Sequence, residues 1–435
     1  MNNETLDHGT IAENIIDNLC QVKFFKDFVA RSPKYNKSNG NKEISDVLVV
    51  FNDVILNFQV KSKLENKNFY QKEKKDIERI ESKITKAVEQ LKELTSVLRN
   101  KIVCDIKNSR GIKIPLPDGA KKIGIICLNL AGEEKFPTSE QTGLRMLFDE
   151  KYDHEIHFFK IEVLNLILSE LTTLPDFLHY LEFRRQYIAN GLLTPTIPEY
   201  DFLAFYKTQY ATALKFLDDK KAGKNVMVYL EPGLWENYLQ NEDVIVQRNM
   251  ANEISGWYDD IIDTKYLAID FSIDNTIPAA DENDYWKTVS CLARLNRIQR
   301  RELSNVCVRK AFKMVYANHD YGYSMITFPD LQISFVYVAC KNVSRRERIN
   351  ILSNLCCAAA AYSKDLTCIV KDIVGIATEE ANPHGASNDV LIATVDDLLA
   401  ACPENDPLKV NCKKIFGITY DMTTTEFHRS KNNVF

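Results

Sequence analysis

The spacing of apolar residues changes repeatedly along the first half of the chain, and each change marks a predicted element. Apolar positions three or four apart are typical of amphipathic helices, whereas β-branched runs and alternation are typical of strands. In chain order the pattern predicts a helix over 8–22, a strand over 24–33, a polar loop over 34–42, strands over 45–51 and 54–62, a long charged helix over 70–100, strands over 122–130 and 155–161, and helices to about residue 190. Asn52-Asp53 separates the two adjacent strands and predicts a hairpin turn. This order predicts a mixed α/β domain over residues 1–195.

The chain changes character after about residue 195 and predicts a second α/β domain over residues 196–435. The pattern predicts helices over 201–217 and 233–262, two strands within 323–340 joined by a Pro-Asp turn, a Ser-capped helix over 344–364, and strands over 366–380 and 388–399. Arginine-rich runs at 297–304 and 345–352 fall on predicted helices and are expected to form surface ion pairs. No motif assigns this domain a role, so recognition of a trigger, of a substrate feature or of a partner protein stays open.

The composition adds a cellular setting to these elements. The 435 residues are 45% hydrophobic and 26% charged, which is typical of a globular protein with a proper core. No stretch reaches the roughly 18 to 20 uninterrupted apolar residues of a membrane span, and "MNNETLDHGT" lacks the apolar core of a signal peptide. The cysteines are scattered singly except for Cys356-Cys357, which is typical of reduced thiols. We therefore expect a soluble, cytoplasmic protein that does not enter a membrane.

Charge is unevenly distributed along the chain. The net charge is −5, yet residues 61–125 hold 17 Lys and Arg against 9 Asp and Glu. A basic segment on an acidic protein indicates an anionic partner for that segment. The alternative is a helix face that is merely solvated.

Polar residues at the ends of the predicted hairpin are the main chemical signal. Residues two apart in a strand share a face, so Gln59 and Lys61 point the same way. A turn at Asn52-Asp53 pairs residues whose numbers add up to about 105, which sets Asp46 opposite Gln59. Cross-strand neighbours lie about 5 Å apart, so an acid, an amide and an amine converge at one end of the sheet. These oxygens suit Mg²⁺ or Mn²⁺, and the lysine can orient a water or stabilise charge on a phosphate.

The pattern D-(x12)-Q-x-K, after a helix and a strand, resembles the PD-(D/E)XK nuclease superfamily, in particular the branch related to Mrr restriction endonucleases, where Gln replaces the second acid. The resemblance covers about the first 70 residues. It implies a restriction-endonuclease-like core, a mixed sheet flanked by helices, and Mg²⁺-dependent cleavage of nucleic-acid phosphodiesters. It also implies that Asp46 binds the metal, that Gln59 replaces the second acid and that Lys61 positions the attacking water. The Val60 carbonyl and the Glu13 carboxylate of the first helix are the further ligands that it implies.

Three nearby residues leave alternatives open or depart from the family pattern. Asp17, one turn after Glu13, competes with it for the role of the helix carboxylate, and Glu43 lies just before the strand. Ser45 stands where the family motif has its proline. Gln59 lowers the negative charge of the site, so a weaker affinity for metal is expected than with two acids.

Lysines that follow the motif form a predicted nucleic-acid contact. They come directly after Lys61 and at the start of the long helix, where they would meet a phosphate backbone beside the site. This set comprises Lys63, Lys67, Lys72, Lys74 and Lys75. The alternative is that Lys–Glu pairs of this helix serve only solubility.

Two other patterns are not expected to carry chemistry. His154 and His157 are three apart on a predicted strand, so their side chains point to opposite faces and do not form a metal pair. "LPDGAKK" lacks the full phosphate-binding loop of nucleotide hydrolases.

Together these signals predict a metal-dependent endonuclease that acts on DNA in preference to RNA. The family resemblance also suggests a restriction or phage-defence effector. Cleavage of both strands of a duplex requires two sites, which makes a homodimer an expectation, and the C-terminal domain could bind a protein partner. The alternative from another class is a catalytically inactive nuclease-fold protein that acts as a nucleic-acid- or protein-binding scaffold.

Overall fold

The structure is a computed structural model of the chain. It describes residues 8–37, 40–62, 73–100, 106–129, 145–149, 154–193, 197–264, 281–317, 319–379, 388–402 and 407–416. Within these residues it is a mixed α/β protein that divides into two compact units. The first unit is Met1–Glu242 with Asp281–Asn283, and the second is Asp243–Ala280 with Asp284–Phe435.

The first unit is built around a six-stranded mixed sheet. Its elements begin with α1 (His8–Phe24), β1 (Val29–Arg31), β2 (Lys34–Lys37), β3 (Gly40–Glu43), β4 (Val47–Phe51), β5 (Val54–Ser62), α2 (Glu73–Arg99), β6 (Lys121–Asn129), β7 (Arg145–Asp149) and β8 (His154–Lys160). The strand order is β1-β4-β5-β6-β8-β7. β1, β4 and β5 are antiparallel, β5, β6 and β8 are parallel, and β7 is antiparallel to β8. The segment that contains α2 therefore makes the crossover between two parallel neighbours.

Helices cover this sheet on opposite faces. α2 lies against β6 where Gly124 has no side chain, since a Cβ there would lie 2.6 Å from Leu91 Cδ1. α1 packs against β4 and β5, and buried Cys20 of α1 lies near Cys127 of β6. Cys127 and Gly124 are an odd number of residues apart on β6, so they face opposite sides of the sheet. The end of β5 is therefore flanked by α1 on one face and α2 on the other.

The segment between α1 and β4 differs from its prediction. The strand expected over 24–33 is only Val29–Arg31, because α1 continues to Phe24, which stacks on Phe177 with ring centroids 5.5 Å apart. The polar loop expected over 34–42 is instead the hairpin β2–β3. Asn36 pairs with Asn41 and Lys37 with Gly40 in this hairpin, and its Tyr35 is buried. A composition that is typical of a loop therefore occurs here in two short, polar, paired strands.

Helices continue the first unit beyond residue 195. They are α3 (Ile161–Glu170), α4 (Leu174–Ala189), α5 (Glu199–Thr208), α6 (Tyr210–Lys221) and α7 (Leu234–Gln240). The Tyr187 hydroxyl of α4 donates to the Ala213 carbonyl at 2.6 Å, and the Tyr180 hydroxyl donates to Glu199 at 2.6 Å. Because α5 and α6 share these buried contacts with α4, the units divide after Glu242 and not at the predicted boundary of 195.

The second unit contains a four-stranded sheet of order β12-β11-β10-β9. The strands are β9 (Tyr321–Phe328), β10 (Ile333–Cys340), β11 (Asp372–Glu379) and β12 (Asn388–Thr394). The helices that lie wholly or mostly in this unit are Glu242–Ile254, Gly256–Thr264, Glu282–Ala293, Arg297–Glu302, Arg309–Tyr316, Arg345–Ser363, Val395–Ala401, Pro407–Val410 and Cys412–Phe416, with a π-helix at Leu303–Val308. The predicted strand over 388–399 ends at Thr394, whose side chain caps the next helix.

One arginine in each arginine-rich run of this unit is buried, contrary to the expected surface pairs. Arg348 is 0% exposed and lies 2.7 Å from Asp389, and Arg300 is 1% exposed and pairs with Asp259. Buried guanidinium groups require such partners, since an isolated buried charge is strongly unfavourable. These arginines therefore belong to the core of the unit. Among the described residues, no helix combines the length and apolarity needed to cross a membrane.

Candidate active site at the end of the β4–β5 hairpin

The register of the hairpin sets the predicted residues opposite one another. β4 pairs with β5 through Val47 and Phe58, and the hairpin turns at Asn52-Asp53. Asp46 lies in the bend just before β4, and extension of this register by one residue would set it opposite Gln59. Lys61 follows two residues later on the same face as Gln59.

An acid, an amide and an amine meet at this position. Lys61 Nζ lies 3.5 Å from Asp46 Oδ2 and 3.4 Å from Gln59 Oε1. Asp46 is 7% exposed and Gln59 is 0% exposed, while the Lys61 side chain is only 17% exposed. Low exposure reduces the solvent screening of both contacts. Two protein oxygens thus already converge on one cation.

The backbone of β5 holds Asp46 in place. The Val60 N–H donates to Asp46 Oδ2 with an N···O distance of 2.5 Å. In a strand, the N–H and C=O of one residue point to the same side, so the Val60 carbonyl also points toward the β4 side. β4 begins at Val47, opposite Phe58, and this carbonyl therefore lies beyond the last paired residue. Its predicted role as a further ligand therefore places it on the same side of β5 as Asp46.

A buried polar residue that the sequence argument missed supports the site. Asn57 lies two residues before Gln59 on the same face, and its Oδ1 lies 2.7 Å from Ser45 Oγ and 3.3 Å from Gln59 Nε2. Gln59 Nε2 also lies 3.4 Å from the Ile44 carbonyl. Ser45 thus has a structural contact where the family motif has proline. The period of two along β5 was the signal that could have identified Asn57.

Of the two candidate helix acids, Glu13 is the one whose pKa is affected by the charge of Asp46. Burial raises the pKa of Glu13, and the carboxylates of Asp46 and Glu43 raise it further, against the opposing charges of Arg31 and Lys61. Glu43 therefore also belongs to this acidic neighbourhood. Like charges disfavour the ionised form of each other, and a cation between them would relieve that repulsion.

Asp17 has a different environment. It is 5% exposed and accepts a hydrogen bond from Gln21 Nε2 at 2.9 Å, while its Oδ1 has no hydrogen-bond partner among the described residues. Its charge acts on buried Cys20. Asp17 is therefore placed within the helix-to-sheet core, and Glu13 is the better-placed carboxylate.

The donor set fits a hard cation only in part. Among the described residues, no group of three or more His, Cys, Asp or Glu side chains is arranged to hold a metal ion. The oxygens that do converge are those of Asp46, Gln59 and the Val60 carbonyl, of which only the first is charged. Oxygen ligands of this kind suit Mg²⁺, but a single carboxylate implies weak affinity. Lys61 would also have to move from between the two side-chain oxygens.

The predicted lysine contacts fall largely outside the part of the chain that the structure describes. Lys63, Lys67 and Lys72 lie outside the described residues. Lys74 and Lys75 lie in the first turn of α2, and their side chains are outside the described part. These five positions therefore stay predictions.

His157 belongs to a buried network. Its ring nitrogens lie 2.6 Å from Glu155 Oε1 and 2.7 Å from Arg184 Nη1. Burial lowers the pKa of His157 to about 4, so the ring is neutral at pH 7. Both nitrogens are occupied by neighbouring side chains, which agrees with a structural role; the side chain of His154 lies outside the described part.

The functional conclusion depends on this geometry. No family model, curated protein or solved structure matches the chain. The contact of Lys61 with Asp46 and Gln59 at the end of β5 is therefore the observation from which function is argued.

Proposed function

We propose that this protein is a metal-dependent nuclease of the PD-(D/E)XK type that hydrolyses phosphodiester bonds, with DNA as the favoured substrate. The observation that carries the proposal is the position of Lys61 Nζ, 3.5 Å from Asp46 Oδ2 and 3.4 Å from Gln59 Oε1. An acid, an amide and an amine seldom share one nearly buried position unless they act together, since each loses solvation there.

The topology of the first unit also supports the proposal of a nuclease. A helix precedes an antiparallel hairpin, and a crossover containing α2 leads to a parallel strand on the far side of β5. This order is similar to the restriction-endonuclease-like core that the family resemblance implies. The second unit would then supply recognition of a trigger, a substrate feature or a partner.

The residues have distinct roles in this mechanism. Asp46, Gln59 and the Val60 carbonyl would hold the cation, with Glu13 as the helix acid whose pKa the Asp46 charge raises. When bound, the cation supplies Lewis-acid polarisation of the phosphoryl oxygen and a lower pKa for water. The Lys61 ammonium orients the attacking water and stabilises the negative charge that builds on the phosphoryl oxygens. A new bond forms from the water oxygen to phosphorus as the bond to the departing sugar oxygen breaks; the water releases one proton to solvent, and the sugar oxygen takes up one proton from solvent.

Plasmid nicking tests the proposal. Supercoiled DNA is incubated with the full chain and Mg²⁺ or Mn²⁺, with EDTA as the blank. Lys61→Met keeps the aliphatic stem and is expected to lower nicking by roughly 10²-fold or more. Lys122→Met is the matched control, because Lys122 is a half-buried strand lysine at the opposite end of the sheet. Equal nicking by wild type and Lys61→Met would reject the assigned site, and competition with RNA tests the preference for DNA.

One observation favours a second function, that of a non-catalytic nuclease-fold scaffold. The described residues contain no three-acid metal group, and the Lys61 ammonium already neutralises Asp46. A scaffold of this kind predicts no heat of Mn²⁺ binding by calorimetry and no effect of Asp46→Ala on association with nucleic acid or protein. Measurable Mn²⁺ binding that disappears in Asp46→Ala excludes it.

A further inference from the structure

A cavity of about 700 Å³ opens beside the candidate site on the α2 side of the sheet. Val60 and Lys61 of the site contribute to its wall. The other lining residues come from β3, the end of β5 and α2, and are Lys42, Ser62, Lys83, Lys86, Glu89, Gln90 and Glu93. The cavity is thus continuous with the position where Lys61 meets Asp46.

α2 forms one long wall of this cavity. Its lining residues include Lys83, Lys86, Gln90 and Glu93. Their spacing of three or four residues places them on one stripe of the helix. The neighbouring stripe, which includes Leu91, is buried against the sheet. Because that packing sets the rotation of α2, it also directs the polar stripe toward the end of β5.

The hairpin β2–β3 is fastened to the same wall. Glu93 Oε1 accepts hydrogen bonds from the Tyr35 hydroxyl and from Lys42 Nζ, both at 2.6 Å. Lys83 Nζ contacts the Ser62 carbonyl at the end of β5. Lys42 and Lys83 are therefore positioned by defined contacts at the edge of the cavity.

The charge of the lining is positive. Four lysines face two glutamates, and Lys42 is paired with Glu93. Lys83 and Lys86 are both exposed residues of this lining, and Lys83 holds its contact with the Ser62 carbonyl. Ammonium groups on flexible stems contact phosphates as point charges and read no base sequence.

We propose that this cavity binds the sugar-phosphate backbone of a nucleic acid strand, with Lys83 and Lys86 on the phosphates that flank the phosphodiester at Lys61. This inference rests on the proposed function, because it takes Lys61 as the reacting end of the cavity. It assigns the anionic contact to the middle of α2 and adds Lys83 and Lys86 to the lysines predicted from the sequence.

Fluorescence anisotropy with a labelled 20-base-pair DNA duplex tests the inference. EDTA in the buffer stops hydrolysis, and binding is measured between 50 and 200 mM salt. Lys83→Gln with Lys86→Gln is expected to weaken binding about tenfold and to reduce the slope of log K against log salt by about 2, since each phosphate contact contributes about 0.9. Lys83→Arg with Lys86→Arg keeps both charges and should restore binding.

The matched control is Lys215→Gln with Lys221→Gln, two exposed lysines of α6 that do not line the cavity. This pair removes the same charge from the same unit. If it weakens binding as much as the α2 pair, or if the α2 pair binds like wild type, the cavity is not the binding site and the inference is overturned.

Nicking assays on the same variants separate the two proposals. Duplex binding that depends on Lys83 and Lys86, without nicking by the wild type, would retain the cavity and reject the nuclease. Nicking that depends on Lys61, with binding indifferent to Lys83 and Lys86, would retain the nuclease and reject the cavity.

Discussion

Replacement of Asp46 separates a structural role from a role in metal binding. Asp46→Ala removes the acceptor of the Val60 N–H and the carboxylate 3.5 Å from Lys61 Nζ. A hydrogen bond to a charged group contributes about 1.5–3 kcal/mol, and the ammonium left nearly buried adds to the loss. We expect the free energy of unfolding of the first unit to fall by about 2–4 kcal/mol. Asp46→Asn keeps an acceptor oxygen for Val60 and should lose only about 1 kcal/mol.

Metal affects these variants differently. For the wild type, 10 mM Mn²⁺ acting on a site with a Kd of about 1 mM adds roughly 1.4 kcal/mol of stability. Both Asp46 variants should lose this gain, although only Asp46→Ala is strongly destabilised. Urea titrations with and without Mn²⁺ measure both effects, and Asp53→Ala, in the exposed turn of the same hairpin, is the control. Full Mn²⁺ stabilisation of Asp46→Asn would refute the role as a ligand, and wild-type stability of Asp46→Ala would refute the contact with Val60.

Other consequences of the structure can be tested by unfolding measurements. The pKa of Glu13 is raised from 4.5 by burial and by Asp46, so its ionisation opposes folding as the pH rises; Glu13→Gln should stabilise the protein at pH 7, with no gain at pH 4. The pKa of His157 is lowered from 6.5 to about 4 by burial, so stability should fall as the pH drops from 6.5 to 4, and His157→Gln should flatten that dependence. A Cβ at Gly322 would lie 1.8 Å from a backbone carbonyl oxygen, whereas one at Gly124 meets the end of a flexible side chain. In urea titrations, Gly322→Ala should therefore lower the free energy of unfolding by more than the roughly 1–3 kcal/mol expected for Gly124→Ala.

Local patterns predicted the hairpin and the helix after it. The turn at Asn52-Asp53 and the alternation along β5 together determine the register, because a slip by one residue would turn every apolar side chain outward. The long helix was also predictable, since apolar residues recur at helical spacing along most of its 27 residues. The β2–β3 hairpin was not, because its polar strands carry no such pattern and Tyr35 gains its burial from the folded chain.

The long-range parts of the site could not be predicted in this way. Glu13 and Asp17 lie one turn apart on α1 and looked equivalent, yet packing places the former in the field of Asp46 and the latter in the core. In the sequence, Lys83 and Lys86 do not differ from other lysines of a charged helix. They line the cavity because α2 packs against the sheet through its apolar residues. The buried arginines of the second unit looked like surface residues for the same reason.

The sequence by itself determined that Asp46, Gln59 and Lys61 lie together, because their positions follow from one turn and the two-residue period of adjacent strands. Only the tertiary structure decided which helix acid feels the charge of Asp46, which lysines line the neighbouring cavity and where the two units divide. Those outcomes depend on how α1, α2 and β3 pack across large sequence separations. That packing is set by the shape of the core, which no local spacing encodes.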